Sequence, residues 1–175
     1  MTDTISGAMA PPVSIRTASL ADAAEIAAIY NREVTTSTAT FDLVERSVDD
    51  QRRWLEERSG AFCAIVAEHD PEPGVIGFAA LSPYKERAAY RTAVEDSVYV
   101  HRDHTGTGVG KALLTRLIDI ARESGFHTMI ARIEASGEAS IGLHRSCGFE
   151  LLGIEREVGR KFNRWLDVAV MQLML

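Results

Sequence analysis

Along the chain, short aliphatic or β-branched runs alternate with stretches in which apolar residues recur three and four positions apart. Ser14–Thr17 predicts a first strand. Ser19-Leu20-Ala21-Asp22 is an S-x-x-D variant of the helix-start signal, and Ala23, Ile26, Ala27 and Tyr30 follow at helical spacing, leaving Glu25 and Arg32 to solvent. The polar, β-branched stretch Thr35–Thr40 breaks that pattern and predicts a loop ahead of Phe41. Ser47-Val48-Asp49-Asp50 repeats the helix-start chemistry. A second helix then runs through Trp54 and Leu55 to Ser59-Gly60, where glycine suits the C-terminal cap.

Phe62–Glu68 and Val75–Leu81 are apolar runs separated by His69-Asp70-Pro71-Glu72-Pro73-Gly74, a turn signal that predicts an antiparallel pair. A strand over Ala93–His101 feeds a glycine-rich turn. From Gly108 onward Val109, Ala112, Leu113, Leu117, Ile120 and Ala121 share one helical face, which Gly125 ends. A strand over Thr128–Ala135, a short helix over Glu138–Cys147 closed by Gly148, and strands over Phe149–Glu157 and Leu166–Leu173 follow. The alternation predicts an α/β fold with a mixed sheet.

Composition narrows the class. A chain of 175 residues, 46% hydrophobic, suits one globular domain over residues 13–175. Met1–Pro12, small and polar with Pro11-Pro12, predicts a mobile tail and lacks the basic-then-apolar order of a signal peptide. No stretch approaches the ~20 apolar residues of a membrane span. A soluble protein of the cytoplasm is expected. Cys63 and Cys147 carry no C-x-x-C or Cys/His metal spacing, so free thiols and no bound metal are expected. A net charge of -6 argues against general nucleic-acid binding and favours a small ligand.

The chemistry concentrates in Val98-Tyr99-Val100-His101-Arg102-Asp103-His104-Thr105-Gly106-Thr107-Gly108-Val109-Gly110-Lys111-Ala112-Leu113-Leu114, a strand, a glycine turn and a helix in that order. Glycine lets the backbone take φ > 0 and approach a ligand, and the first N–H groups of the helix lack carbonyl partners, so a pyrophosphate fits there. Spacing decides which one. A nucleotide P-loop needs G-x-x-x-x-G-K-[ST], but Ala112 follows Lys111 and Thr105 holds the first glycine position. A dinucleotide fingerprint starting at Gly106 needs a third glycine where Lys111 stands. ATP and NAD both fit poorly, and by itself the turn also suits an ordinary helix start.

The remaining x-G-x-G-x-G pattern resembles the GNAT acyl-CoA-dependent N-acetyltransferases. Four further blocks carry the resemblance to their phosphinothricin and methionine sulfone N-acetyltransferase subfamily: Thr38-Ala39-Thr40-Phe41, the segment Tyr84–Val100, the segment Ser140–Phe149, and the segment Gly159–Val168. The resemblance covers Ser14–Leu175. It implies the GNAT fold, a mixed and mostly antiparallel central sheet flanked by helices. It also implies acetyl transfer from acetyl-CoA, by direct attack in a ternary complex, to the α-amino group of phosphinothricin, methionine sulfone or methionine sulfoximine, with herbicide or antibiotic resistance as an attached role. Alternatives are a GNAT enzyme for protein N-termini, polyamines or aminoglycosides, or a non-catalytic acyl-CoA-binding protein.

Such a transfer needs a base, because an α-amino group of pKa about 8 is mostly protonated at neutral pH. Glu95, on the strand leading to the turn, is the candidate; residue type and position alone also suit a plain surface glutamate. The resemblance places the base on Glu95 and a second catalytic residue on His144. It lays the pantetheine arm along Val98, Tyr99 and Val100, and the phosphates on Gly106, Thr107, Gly108, Val109, Gly110 and Lys111. Thr105 replaces the family's Arg or Gln, and Gly137, at a cofactor-contacting position, replaces its Asn. Phe41, Arg87 and Tyr90 are the implied acceptor-binding residues, with Arg87 suited to a carboxylate. Lys161, Phe162 and Trp165 fall in a segment that related enzymes use at a dimer contact bordering the pocket, so a homodimer is expected.

Overall fold

The computed structural model describes residues 13–58, 60–69 and 74–175. The predicted tail Met1–Pro12, Ser59 and the Asp70–Pro73 part of the predicted turn lie outside the described residues, and the second helix, predicted to run to Ser59-Gly60, ends at Glu56 with Glu57 as its cap. The elements run β1 (Val13–Thr17), α1 (Ala23–Thr36), α2 (Val48–Glu56), β2 (Ala64–His69), β3 (Val75–Pro83), β4 (Ala93–Val100), α3 (Val109–Glu123), β5 (Thr128–Glu134), α4 (Glu138–Ser146), β6 (Glu150–Lys161) and β7 (Arg164–Met174).

Local chemistry explains the helix starts. At α2 the Ser47 hydroxyl accepts from the Asp50 amide at 3.0 Å, and the Asp50 carboxylate accepts from the Ser47 amide at 3.2 Å. Before α1, Asp22 accepts from the Ser19 amide at 2.7 Å and is clamped by both terminal nitrogens of Arg16 at 2.9 and 2.8 Å. That guanidinium, above all, together with Ser19, holds the Asp22 carboxyl down at about 2 against the opposing effect of burial.

All strands join one sheet in the order β1-β2-β3-β4-β5-β7-β6. Every pairing is antiparallel except β4 with β5. That parallel pairing lasts only for Ala93↔Thr128, Val94↔Met129 and Glu95↔Ile130. Beyond Glu95 the strands part, and the β4 edge from Asp96 to Val100 has no strand partner on the β5 side. Alternation of side chains along β4 divides the molecule. Val94, Val98 and Val100 pack with the α3 core of Val109, Leu113, Leu114, Leu117 and Ile118. Tyr99 packs on the other face with Ile26, Tyr30 and Phe78, beneath α1. Burying each large α3 aliphatic contributes about 1.5–3 kcal/mol, so α3 fixes the glycine turn at its N-terminus firmly to the sheet.

Some predicted details shift. The buried α3 stripe includes Leu114 and Ile118, while Ala112 and Ile120 stay partly exposed, because the helix is covered by the sheet over a wider arc than one row of side chains. The last two strands are longer than their apolar runs and meet at Lys161↔Arg164 across Phe162-Asn163, both in the left-handed region with φ 48° and 58°. This is the two-residue hairpin geometry usually signalled by glycine.

Candidate active site

Where β4 and β5 part, a cleft of about 610 Å³ opens, and it is lined by Phe41, Glu95, Tyr99, Arg132, Gly137 and His144, among others. Its roof is Ser37–Phe41; of the loop predicted over Thr35–Thr40, Thr35 and Thr36 instead close α1, and the chain leaves the helix at Ser37. Thr38 reaches across to the Glu134 carboxylate at 3.0 Å, and Thr40 shares a 2.8 Å hydrogen bond with the Tyr30 hydroxyl.

Glu95 and its neighbour Asp96 point to opposite faces of β4. Glu95 is half-buried on the α1 side, where burial first and the nearby carboxylates of Asp96 and Glu155 second push its pKa up, against the pull of Arg132. Asp96 turns under α4, where its Oδ2 lies 3.0 Å from His144 Nε2. The two side chains are 1% and 4% exposed, so this contact is dry. His144 Nδ1 donates to the Ser140 carbonyl at 2.7 Å, which leaves Nε2–H to face the carboxylate only in the imidazolium form. Burial presses the imidazole pKa down, but Asp96 and the Ser140 carbonyl outweigh it and the net shift is upward. The other Asp96 oxygen, Oδ1, is buried and finds no partner among the described residues.

At the far end of β4 the chain passes through Gly106 and Gly108, with φ of 75° and 93°, into α3. The helical ladder resumes with the Ala112 amide on the Gly108 carbonyl at 3.0 Å. Among the described residues the amides of Gly106 to Lys111 make no well-aligned hydrogen bond, and the segment Thr105–Gly108 is held only as a turn. Gly110 serves another purpose: a Cβ there would lie 3.3 Å from Leu143 and 3.5 Å from Val100, so its absence lets α3 sit close to β4 and α4. A row of free amides at a helix N-terminus suits a diphosphate, and the open β4 edge between that row and Glu95 suits an extended arm carrying amides of its own.

The chain matches the Acetyltransferase (GNAT) domain over residues 15–170. It is 44% identical over 165 residues to the L-amino acid N-acyltransferase MnaT of Escherichia coli K12, covering 93% of this chain and 94% of that protein. It is 41% identical over 162 residues to the L-methionine sulfoximine/L-methionine sulfone acetyltransferase of Pseudomonas aeruginosa, with the same coverage of 93% and 94%. The crystal structure of a phosphinothricin acetyltransferase from Sinorhizobium meliloti in complex with acetyl-CoA superposes with a TM-score of 0.89 at 38% identity, covering 93% of this chain and 88% of that one. The chain belongs to the GNAT acetyltransferase family.

Against this GNAT frame the predicted residues divide. Phe41, Glu95, Val98, Tyr99, Gly137 and His144 line one cleft. Val100 continues the same strand edge to the turn of Gly106, Thr107, Gly108, Val109, Gly110 and Lys111. Arg87 and Tyr90 do not line the cleft; they are exposed in the connection from β3 to β4, which joins β4 at its Glu95 end. Tyr90 packs edge-on to Tyr84, with ring centroids 5.6 Å apart. Glu95 and His144 are not bonded to each other: His144 is committed to Asp96. Thr105, where the family pattern has Arg or Gln, fastens the turn by donating to the Arg102 carbonyl at 2.9 Å. Gly137 stands where a Cβ would meet the Glu134 carbonyl at 3.0 Å and Ile133 at 3.3 Å, so the backbone before α4 has closed in on the position.

Sequence reasoning missed Asp96, Arg132 and Gly159. Asp96 carried a signal, a carboxylate on an apolar strand at a position that alternation sends into the core. Arg132 and Gly159 carried none, since their neighbours come from β6 and from the Ser37–Phe41 loop. Among the described residues no group of three or more His, Cys, Asp or Glu side chains is arranged to hold a metal, and no helix is long and apolar enough to cross a membrane.

Proposed function

We propose that the protein transfers the acetyl group of acetyl-CoA to the α-amino group of a small amino-acid-like acceptor of the methionine sulfone, methionine sulfoximine or phosphinothricin type. One observation carries this reading: a cleft lined by the half-buried Glu95 and by Asp96–Tyr99 opens along the unpaired stretch of β4, and the same strand leads on to the glycine turn at Gly106–Lys111 and the N-terminus of α3. The names of the relatives supply the acceptor class.

Acetyl-CoA supplies the activated acetyl group. The amides of Gly106–Lys111 hold its diphosphate, and the N–H and C=O groups on the open edge of Asp96–Val100 hold its extended arm. Glu95 takes the ammonium proton of the acceptor, a task helped by the raised pKa that burial gives it. His144 lines the cleft with Nε2 turned to Asp96 and Nδ1 to the Ser140 carbonyl, so it acts by fixing α4 against β4 beside the thioester, and the departing sulfur takes its proton from water. Phe41 walls the acceptor side chain. Arg87 and Tyr90, exposed on the connection that enters β4 before Glu95, lie outside this cleft and have no contact with the acceptor.

The same reading includes a symmetric homodimer acting in the cytoplasm. Its support is the apolar surface of the β6–β7 hairpin, where Leu152, Phe162 and Trp165 are 58%, 53% and 61% exposed. Sedimentation at micromolar concentration tests it, with a monomer as the contrary result.

The direct test of the activity is release of free thiol from acetyl-CoA against amino acids, sulfones, phosphinates, polyamines and peptides. Release with methionine sulfone or phosphinothricin and none with polyamines is expected. Coenzyme A binding without thiol release for any amine contradicts the reading.

A further inference from the structure

The loop that roofs the acceptor end of the cleft is seated on β6, separated in the sheet from β4 by two strands, and the seat has a specific shape. Lys161 is 4% exposed, yet its ammonium donates to the Thr40 carbonyl at 2.8 Å and to the Glu33 carbonyl at 3.3 Å. Burial lowers the pKa of this ammonium, against the pull of Asp42 and Glu33. It therefore ties the end of α1 and the roof loop to the strand. Two residues earlier on the same face, Gly159 lies directly beneath the Phe41 ring. A Cβ at position 159 would fall 2.2 Å from Phe41 Cε2, 2.6 Å from Cδ2 and 3.0 Å from Cζ. Gly159 has no left-handed φ, so its backbone would accept any L-residue. What the position needs is space for the ring.

From this we propose that Gly159 is a specificity-determining residue of the acceptor site, acting through Phe41. The inference rests on the acetyltransferase reading above, in which this end of the cleft receives the acceptor side chain. With no side chain at 159, the ring sits directly against the β6 backbone and forms part of the cleft wall together with Val158. A methyl group there must displace the ring by more than 1 Å to reach an ordinary carbon–carbon separation of about 3.5 Å. The strand lies behind the ring, so the displacement carries it up into the acceptor space. The neighbour that yields is a side chain on a loop rather than backbone, so the fold survives while the pocket shrinks. The Lys161 bonds limit relief by movement of the loop itself.

The test is steady-state kinetics of Gly159→Ala, Phe41→Ala and the double variant, with methionine sulfone as acceptor and the wild type measured alongside. Gly159→Ala is expected to raise the methionine sulfone KM about tenfold, the scale of a misfitted methylene in a binding pocket, and to leave the acetyl-CoA KM within about twofold. In the Phe41→Ala background the same substitution is expected to change neither, since no ring remains to be displaced. If Gly159→Ala does not fold, the double variant is expected to restore folding. An unchanged methionine sulfone KM in Gly159→Ala, an equal effect with and without the ring, or a double variant that stays unfolded would each overturn the proposal while leaving the acetyltransferase reading intact. A wild type that releases no thiol with any acceptor sinks both.

Discussion

At the glycine turn the groups offered to a ligand are main-chain amides, Gly106 to Lys111, set in place by two positive-φ glycines and a helix welded to the sheet. At Glu95 they are side chains brought from distant elements, Phe41 from the loop after α1 and Arg132 from β5, while Gly159 and Lys161 of β6 seat that loop from behind. The contrast teaches how each end fails. A site made of backbone is expected to tolerate a change of side chain such as Thr105, which stands where the family pattern has Arg or Gln. A site made of side chains depends on packing several residues away, and a methyl group outside the cleft can reshape it.

The largest expected effect lies at the side-chain end. Glu95→Gln should cut kcat by about 10²–10⁴ with little change in acetyl-CoA affinity, read by thiol release and calorimetry. In the wild type the acid limb of the kcat/KM profile should fall above the ordinary carboxylate range, because the Glu95 pKa is raised by burial, and it should vanish in the variant. Equal losses in kcat and coenzyme binding would blur the division between the two ends.

Asp96→Asn comes next, since it leaves His144 buried without its anionic partner. A loss of about 3 kcal/mol is expected in denaturant unfolding at pH 6. The sign with pH follows from the raised imidazole pKa: the pair's contribution is complete below about 6.5, the ordinary histidine value, and disappears as pH rises through the folded-state value. The stability gap between wild type and variant should therefore shrink in alkali. A gap that widens with pH would contradict the imidazolium assignment.

At the backbone end Gly108→Val forces a β-branched residue to φ 93° and should raise the acetyl-CoA KM about tenfold while the acceptor KM holds. If the acceptor KM moves instead, the turn is not a cofactor cradle. The smallest effect belongs to a contact remote from both ends. Asp22→Asn should cost about 1–2 kcal/mol at neutral pH without touching kinetics. Its carboxyl is held down at about 2, so the contribution is present above the ordinary carboxylate value of 3.8 and is lost as pH falls through about 2. An acid melt of the two proteins reads the convergence.

The same contrast governs what the sequence could show. The glycine turn, both capping boxes and the β4 run are local patterns, each specified by residues within a few positions of one another, and their reading from sequence agrees with the structure. His144 was found by resemblance, but its tie to Asp96 joins residues 48 apart in the chain. The hairpin at Phe162-Asn163 escaped because no glycine marks it. Gly159 escaped because the property that matters is an absent atom beneath a ring from another part of the chain. Strain and vacancy of that kind leave no periodicity to read.

A crystal structure of the protein with coenzyme A tests the central claim most directly. The account predicts diphosphate oxygens within hydrogen-bonding distance of the amides of Gly106–Lys111, with the thiol arm lying along the open edge of β4 toward Glu95. A coenzyme bound elsewhere, with those amides facing only solvent, would contradict it.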